Sequence, residues 1–87
     1  MNFALDRVVA ISPPKILVVD GDEIILRYLP IRFDDCDVLT AKDSQSALGL
    51  LESHPDVCVL LADPQACGYS LLEFCRTKFP GMPQVLM

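Results

Sequence analysis

Two uninterrupted apolar runs, each followed directly by an aspartate, constrain the fold of this chain more than any other feature. The first run covers residues 16–19 and precedes Asp20, and the second covers residues 57–62 and precedes Asp63. A strand that is apolar on both faces is typical of a parallel sheet that helices cover on each side. The two runs therefore predict strands of such a sheet, with one aspartate at the end of each.

The segment after the first run has the features of a helix. Asp22 can cap its amino terminus, because a short carboxylate side chain accepts a hydrogen bond from the first backbone N–H groups. The apolar residues at helical spacing are Ile25, Leu26 and Leu29. Pro30 lacks a backbone N–H and disfavours helical geometry at the preceding residue, so we expect this helix to stop or kink near Tyr28.

The middle of the chain predicts a second strand and a second helix. The apolar pair at residues 38–39 is the centre of a short strand. Ser44 is the predicted N-cap of a helix that continues through Leu51. The apolar face of this helix would contain Ala47, Leu48 and Leu51.

The last third of the chain predicts a third helix and a fourth strand. After the third strand, a loop that contains Pro64 and Gly68 leads to a helix that begins near Ser70. The Phe-Pro-Gly sequence at residues 79–81 closes this helix, and residues 84–87 begin another strand. The order of elements is βαβαβαβ, which predicts a parallel α/β sheet with right-handed connections.

Length and composition predict one small domain with a short lead-in. The chain has 87 residues, of which 52% are hydrophobic, so it has enough apolar side chains for a core and is not expected to be disordered. The Ser-Pro-Pro sequence at residues 12–14 ends a segment that we interpret as an N-terminal arm or linker, residues 1–14. The domain itself covers residues 15–87.

Charge and cysteine usage limit the expected partners and location. Twelve acidic and seven basic residues give a net charge of −5 without a basic cluster, so this segment is not expected to bind nucleic acid. The four cysteines have neither CxxC nor His–Cys spacing, and we interpret them as reduced thiols of a cytoplasmic protein. No apolar stretch has the length of a membrane-spanning helix, so no membrane association is expected.

The aspartates at the strand ends predict a cation site. Ligands of open α/β sheets bind beyond the carboxyl ends of the strands, where the backbones at Asp20 and Asp63 would be about 5 Å apart if their strands are neighbours. Asp22 could join them. Clustered carboxylates repel one another and are stabilised by a hard divalent cation such as Mg²⁺. Each aspartate could instead serve only as a turn residue or helix cap, so the spacing leaves both roles open.

The order and spacing of several motifs resemble two-component response regulator receiver domains. The motifs are Lys-Ile-Leu-Val-Val-Asp at 15–20, Asp-Val-Leu-Thr-Ala at 37–41, Ser-Ala-Leu at 46–48 and Pro-Asp-Val-Cys-Val-Leu-Leu-Ala-Asp at 55–63. The resemblance continues without a gap through Gly68, residues 72–74 and the Phe-Pro pair at 79–80, and it covers residues 15–87. It implies a flavodoxin-like, three-layer parallel sheet of the receiver type.

This resemblance implies a phosphorylation switch in signal transduction rather than an enzyme. Asp63 stands at the position of the phosphoryl acceptor, which in the family receives the group from a sensor histidine kinase or a phosphotransfer protein. The family uses Mg²⁺ to neutralise charge on the transferring group. Asp20 matches the first acid of the pair that holds this ion. The implied metal ligands are therefore Asp20 and Asp63, with Asp22 as a further candidate.

The chain departs from the family pattern around this site. Gly21 stands where the family has the second acid, unless Asp22 replaces it from one residue further on. The pair at 66–67 is Ala-Cys where Met-Pro is usual, and the pair at 70–71 is Ser-Leu where Asp-Gly is usual. Pro64 directly follows the acceptor position and removes a backbone N–H close to it.

The carboxyl end of the sequence lacks further family features. A receiver domain carries a fifth strand and two more helices, with a hydroxyl residue after its fourth strand and a lysine after its fifth. Because the sequence ends at Met87, we expect a C-terminally truncated receiver whose sheet is incomplete after the fourth strand. The exposed edge strand predicts a homo-oligomer through residues 85–87 or through the missing region, or else a longer protein.

Two other functions fit parts of the same pattern. A pseudo-receiver would have the same fold without phosphorylation and would serve in dimerisation or docking, which agrees with Gly21 and the missing residues. The Asp-Gly-Asp sequence at residues 20–22 also resembles the nucleophile motif of haloacid-dehalogenase-type phosphatases, in which Asp20 and Asp22 would act as nucleophile and acid/base. Ile24 stands where that motif has a threonine, so the phosphatase is the weaker alternative.

Overall fold

The computed structural model describes residues 13–87 as four parallel strands alternating with three helices. The elements are β1 Lys15–Val19, α1 Glu23–Arg32, β2 Asp37–Ala41, α2 Ser44–Ser53, β3 Val57–Ala62, α3 Pro64–Lys78 and β4 Gln84–Leu86. The predicted order βαβαβαβ is therefore confirmed. The predicted N-terminal arm, residues 1–14, lies outside the described residues except for Pro13 and Pro14.

The sheet has the strand order β2-β1-β3-β4, and every neighbouring pair is parallel. Strand β1 lies between β2 and β3, and its last residue, Val19, is paired with Ala41 on one side and Ala62 on the other. The chain moves in one direction across the sheet from β1 to β2, and in the other direction from β2 to β3 and from β3 to β4. Because such connections are right-handed, α1 lies on one face of the sheet and α2 and α3 lie on the other. The fold class expected from the sequence, a parallel α/β sheet with a flavodoxin-like strand order, is confirmed.

The main core lies between the sheet and helices α2 and α3. It is a cluster of buried side chains from β1, β2, β3 and these two helices: Leu17, Val19, Ala41, Ala47, Leu51, Val57, Leu60, Ala62, Cys67, Leu71, Leu72 and Cys75. Val18 points to the opposite face from Leu17, because side chains alternate along a strand, yet both are fully buried. Burial of each such aliphatic side chain contributes about 1.5–3 kcal/mol, so β1 is anchored on both faces.

Helix α1 continues past Pro30, so the expectation that it stops or kinks near Tyr28 is wrong. The helix ends at Arg32, and its C-cap Phe33 donates its N–H to the carbonyl of Leu29 at 2.9 Å. Pro30 removes only the hydrogen bond that an N–H at this position would donate to Leu26. Since Pro30 lies in the last turn, one lost bond does not end the helix.

Helix α2 has a different N-cap from the one expected. Asp43, and not Ser44, is the cap: its carboxylate accepts the N–H of Ser46 at 2.9 Å. Ser44 is the first helical residue, and the helix continues beyond Leu51 to Ser53. Aspartate and serine are nearly equal as N-caps, so the sequence alone does not separate these two neighbours.

Helix α3 begins directly after β3, where a loop was expected. Pro64 is its first residue rather than part of a loop, and Asp63 is its N-cap. Proline suits the first helical position because its missing N–H would have no partner there and its φ angle is already helical. The backbone at Gly68 is not helical, and the segment that follows it begins close to Ser70, where the helix was expected.

Lys15 joins the amino ends of strands β1, β2 and β3. Its ammonium lies 3.0 Å from a carboxylate oxygen of Asp56, before β3, and 3.8 Å from one of Asp37, in β2. The hydrogen bond from Lys15 holds the pKa of the Asp56 carboxyl below its ordinary value, and the same bond raises the pKa of Lys15. These ion pairs lie at the opposite edge of the sheet from Asp20.

We predict that Lys15→Met lowers the free energy of unfolding at pH 7 and that this loss disappears in acid. A carboxyl with a lowered folded pKa stabilises the protein above its ordinary pKa, about 4, and loses this contribution as the pH falls. Urea unfolding of both proteins at pH 7 and at about pH 3 measures the effect. The control is Lys78→Met, which removes a lysine with no ion pair among residues 13–87. A Lys15→Met loss that is the same at both pH values contradicts the assignment.

Candidate functional site

A pocket of about 340 Å³ lies at the carboxyl edge of the sheet, beyond the ends of β1 and β3. It is lined by Asp20, Gly21, Asp22, Asp63, Gln65 and Ala66. All three aspartates selected from the sequence therefore lie around one pocket. This is the edge at which ligands of open α/β sheets bind.

The sheet hydrogen bonds determine the positions of Asp20 and Asp63. The N–H of Asp63 donates to the carbonyl of Val19 at 2.8 Å, and the N–H of Asp20 donates to the carbonyl of Ala41 at 3.1 Å. Both residues thus continue the ladder directly after the last paired residues of β1 and β3. Neighbouring strands lie about 5 Å apart, so the two carboxylates extend from adjacent backbone positions into the same pocket.

Asp20 is the one polar side chain that is buried among residues 13–87, with 8% of its surface exposed. Its Oδ1 atom accepts the N–H of Asp22 at 2.8 Å, which holds the turn between β1 and α1. A buried carboxylate is costly unless it is hydrogen-bonded or paired with a cation. One backbone N–H is a modest compensation, so the position favours a positively charged ligand.

Asp22 and Asp63 are the N-caps of the two helices that begin at the pocket. The Oδ1 atom of Asp22 accepts the N–H of Ile24 at 2.9 Å, and the Oδ1 atom of Asp63 accepts the N–H of Gln65 at 3.0 Å. The helix-cap role that the sequence left open therefore applies to both residues. It does not exclude a second role, because each carboxylate has another oxygen.

Gly21 has room for a side chain. A Cβ atom built on Gly21 would meet Ala66 Cβ at 3.9 Å, which is ordinary van der Waals contact, and the backbone of Gly21 does not have a positive φ angle. Neither crowding nor backbone conformation therefore requires glycine here. The chain lacks an acid at this position without a structural reason.

The donor set of the pocket suits a hard divalent cation. Asp20, Asp22 and Asp63 offer carboxylate oxygens, and Mg²⁺ prefers oxygen ligands while it keeps several of its waters. Among residues 13–87, however, no group of three or more His, Cys, Asp or Glu side chains is arranged as a metal-binding cluster. The residues therefore fit an ion held by few protein ligands rather than one enclosed by the protein.

Two features of the site could not be assigned from the sequence. Gln65 and Ala66 line the pocket because Pro64 starts a helical turn there, and the aspartate-proline pair at a strand end is the signal that could have indicated this turn. Cys67, next in this turn, has 4% of its surface exposed, and burial raises the pKa of its thiol. Cys67 thus packs beneath the pocket as an apolar residue.

The other chemically reactive side chains lie apart from the pocket lining. All four cysteines, which are Cys36, Cys58, Cys67 and Cys75, are free thiols. Within residues 13–87, no helix has the length and apolar character needed to cross a membrane. The pocket at the ends of β1 and β3 brings together the three aspartates on which a functional proposal can rest.

Comparison with solved structures identifies the class of protein that has this fold. The chain is similar to a response regulator receiver domain protein from Clostridium thermocellum, with a TM-score of 0.72 and 26% identity over 84% of this chain and 63% of that one. It is also similar to the signal receiver domain of an HD domain-containing protein from Pseudomonas fluorescens Pf-5, with a TM-score of 0.74 and 30% identity over 86% of this chain and 58% of that one. No family model matches the chain, and no curated protein matches it.

These matches confirm the resemblance to response regulator receiver domains that the sequence motifs indicated. The chain spans about three fifths of each receiver chain that it matches. The structural similarity supports a signal receiver role. The parts played by Asp20, Asp22 and Asp63 remain predictions, to which the geometry of the pocket now gives positions.

Proposed function

We propose that residues 15–87 act as the receiver module of a two-component phosphorelay, with Asp63 accepting the phosphoryl group in the presence of Mg²⁺. The observation that carries this proposal is that Asp20 and Asp63, from adjacent strands, line one pocket at the carboxyl edge of the sheet. The similarity to receiver domains supports the signalling role. The geometry of the pocket supports the acceptor chemistry.

The position of Asp63 supports its proposed role as the nucleophile. Its side chain is partly exposed and lines the pocket, while Asp20 beside it is buried. One carboxylate oxygen of Asp63 would attack phosphorus, forming an O–P bond as the P–N bond to the donor's histidine breaks, and the released imidazole takes up a proton. Bound Mg²⁺ would supply charge neutralisation for the transferring group.

Asp20 and Asp63 would be the protein ligands of the ion, and Asp22 would be a further candidate. Asp20 is fixed by its hydrogen bond to the N–H of Asp22, so its carboxylate needs no reorganisation to act as a ligand. Asp63 contributes the oxygen that does not attack. Asp22 would replace the acid that Gly21 lacks, with the oxygen that does not cap α1. Of the three, Asp22 is the weakest candidate ligand, because its side chain is exposed.

The module would receive its phosphoryl group from a sensor histidine kinase or a phosphotransfer protein in the cytoplasm, and it would not itself be an enzyme.

Self-association through β4 remains part of the proposal. Val85 and Leu86 are 49% and 53% exposed, and they leave apolar surface at this edge of the described sheet. Exposed strand edges of this kind pair readily with another chain.

A pseudo-receiver is the alternative that specific observations favour. One carboxylate oxygen of Asp63 already caps α3. Pro64 has no N–H that could donate to a phosphoryl group, and Gly21 has no side chain that could bind the ion. A domain with these features would keep the receiver fold for docking or dimerisation alone. Phosphorylation of the purified protein distinguishes the two functions.

We predict that the protein gains one phosphoryl group when it is incubated with phosphoramidate and Mg²⁺, and that Asp63→Asn abolishes the gain. Intact-mass spectrometry measures it directly. Asp56→Asn is the matched control, because Asp56 lies at the opposite edge of the sheet and should leave the gain unchanged. If the protein without substitutions gains no phosphoryl group, the result supports the pseudo-receiver. The phosphatase would be favoured instead if the protein hydrolyses a phosphate ester, and if Asp20→Asn abolishes this hydrolysis while Asp63→Asn does not.

We predict that Gly21→Asp strengthens Mg²⁺ binding by roughly tenfold, since a further negative charge near the ion, beside Asp20, Asp22 and Asp63, adds Coulomb attraction and an oxygen ligand. The space beside Ala66 accommodates the side chain. Isothermal titration calorimetry measures the affinity. Gly81→Asp is the control, because it adds the same charge in open space away from the pocket lining. Equal effects of the two substitutions would show that the ion responds to net charge and does not bind in the pocket.

A further inference from the structure

The two faces of the sheet are covered to different degrees. Helices α2 and α3 pack on one face and share the main core with it. On the opposite face, α1 has no buried residue, and it packs mainly against β2. Among residues 13–87, no helix therefore covers the half of this second face that β3 and β4 form.

The strand pairing shows which side chains belong to this open half. Paired residues of neighbouring parallel strands point to the same face of a sheet. Val18 pairs with Leu61, and Leu61 pairs with Val85, so these side chains form one row across the sheet. Ile16 and Val59 form the next row. Both rows alternate along the strands with residues of the main core, so they lie on the face of α1.

Burial falls along these rows from the centre of the sheet toward β4. Val18, in the central strand, is fully buried. Ile16, Val59 and Leu61 are half-buried, and Val85 is 49% exposed. We call the apolar surface that these last four side chains form the β3–β4 face. Contiguous apolar surface of this kind marks a place where another segment or another chain packs.

The segment that precedes β1 has the composition to cover this face. Apart from Asn2, Asp6, Arg7 and Ser12, every residue among 1–12 is apolar. The two charged side chains have opposite signs, so the side chains of the segment carry no net charge. A segment this apolar is stabilised when it leaves water for an apolar surface.

The segment is attached to the sheet beside the β3–β4 face. The carbonyl of Pro14 accepts the N–H of Asp37 at 2.8 Å, which fixes the entry of the chain into β1 at the amino edge of the sheet. From β1, strand β4 is two strand spacings away, about 10 Å. An extended chain advances about 3.3 Å per residue. Residues 1–12 are therefore long enough to cross the face.

We propose that residues 1–12 dock on the β3–β4 face of their own molecule. The short tether at residues 13–14 makes this contact intramolecular, and a short linker gives an effective concentration on the order of millimolar. A second copy in dilute solution does not reach this concentration, so the tethered segment is the favoured occupant. The contact uses side chains of the face rather than the backbone groups at the edge of β4, and it does not depend on acceptor chemistry at Asp63.

The test is NOE spectroscopy of the full chain in dilute solution, with labelled methyl groups of valine and leucine. We expect NOEs between the methyl groups of Val8 or Val9 and those of Leu61 or Val85. Leu86 is the internal control, because it follows Val85 and is similarly exposed at 53%, but its side chain points to the opposite face. Leu86 should show no NOE to residues 1–12.

Two double variants with the same added charge test the role of the apolar side chains. Val8→Asp together with Val9→Asp should abolish the NOEs from the rest of the segment to the β3–β4 face. It should also make the methyl groups of Val85 more accessible to an uncharged paramagnetic probe in solution. Asn2→Asp together with Ser12→Asp is the matched control, because it changes only polar residues of the segment and should keep the NOEs.

The outcomes distinguish the possible occupants of the face. If the NOEs arise only between differently labelled copies in a mixed sample, a second copy covers the face and the proposal is overturned. NOEs from residues 1–12 to Leu86, or an absence of NOEs to both Leu61 and Val85, also overturn it. If the charge control removes the NOEs as completely as substitution of Val8 and Val9, the contact does not depend on apolar side chains and the proposal fails.

Discussion

The parallel pairing of β1 with β3 is the interaction on which the site depends. It aligns Val19 with Ala62, and the N–H of Asp63 continues the same ladder to the carbonyl of Val19. Two residues that are 43 positions apart in the sequence, Asp20 and Asp63, consequently become neighbours at one edge of the sheet. The buried side chains of β1 and β3, among them Leu17, Val19 and Leu60, hold this pair of strands in the core.

Each aspartate of the pocket also has a structural role, because its carboxylate accepts a backbone hydrogen bond at the start of a helix or turn. Asp20 holds the turn before α1, Asp22 caps α1 and Asp63 caps α3. A ligand that engages these carboxylates competes with, or adds to, the hydrogen bonds that start both helices. A pseudo-receiver would keep the same aspartates for these structural roles alone.

The sheet and the acidic edge could be predicted from the sequence. The runs that form β1 and β3 are continuous apolar stretches that each end at an aspartate, and a parallel sheet covered by helices explains both features. Details at helix ends could not be predicted. Pro30 is tolerated because it lies in the last turn of α1, and Asp43 competes with its neighbour as an equally good cap. The helical turn after Asp63, which brings Gln65 to the pocket, ends at Gly68, and the positive φ angle of that residue is not readable from a single glycine.

The most direct test of the central claim is an NMR titration with Mn²⁺, a paramagnetic ion that replaces Mg²⁺ at oxygen sites and broadens the signals of nearby amides. If the carboxylates of Asp20 and Asp63 share one ion, the amides of Asp20, Gly21 and Gln65 should broaden together at the lowest ion concentrations. The opposite edge of the sheet also carries acidic residues, at positions 34, 35, 37 and 56. Broadening that begins there, or that affects residues 20–22 without residue 65, would contradict a shared site.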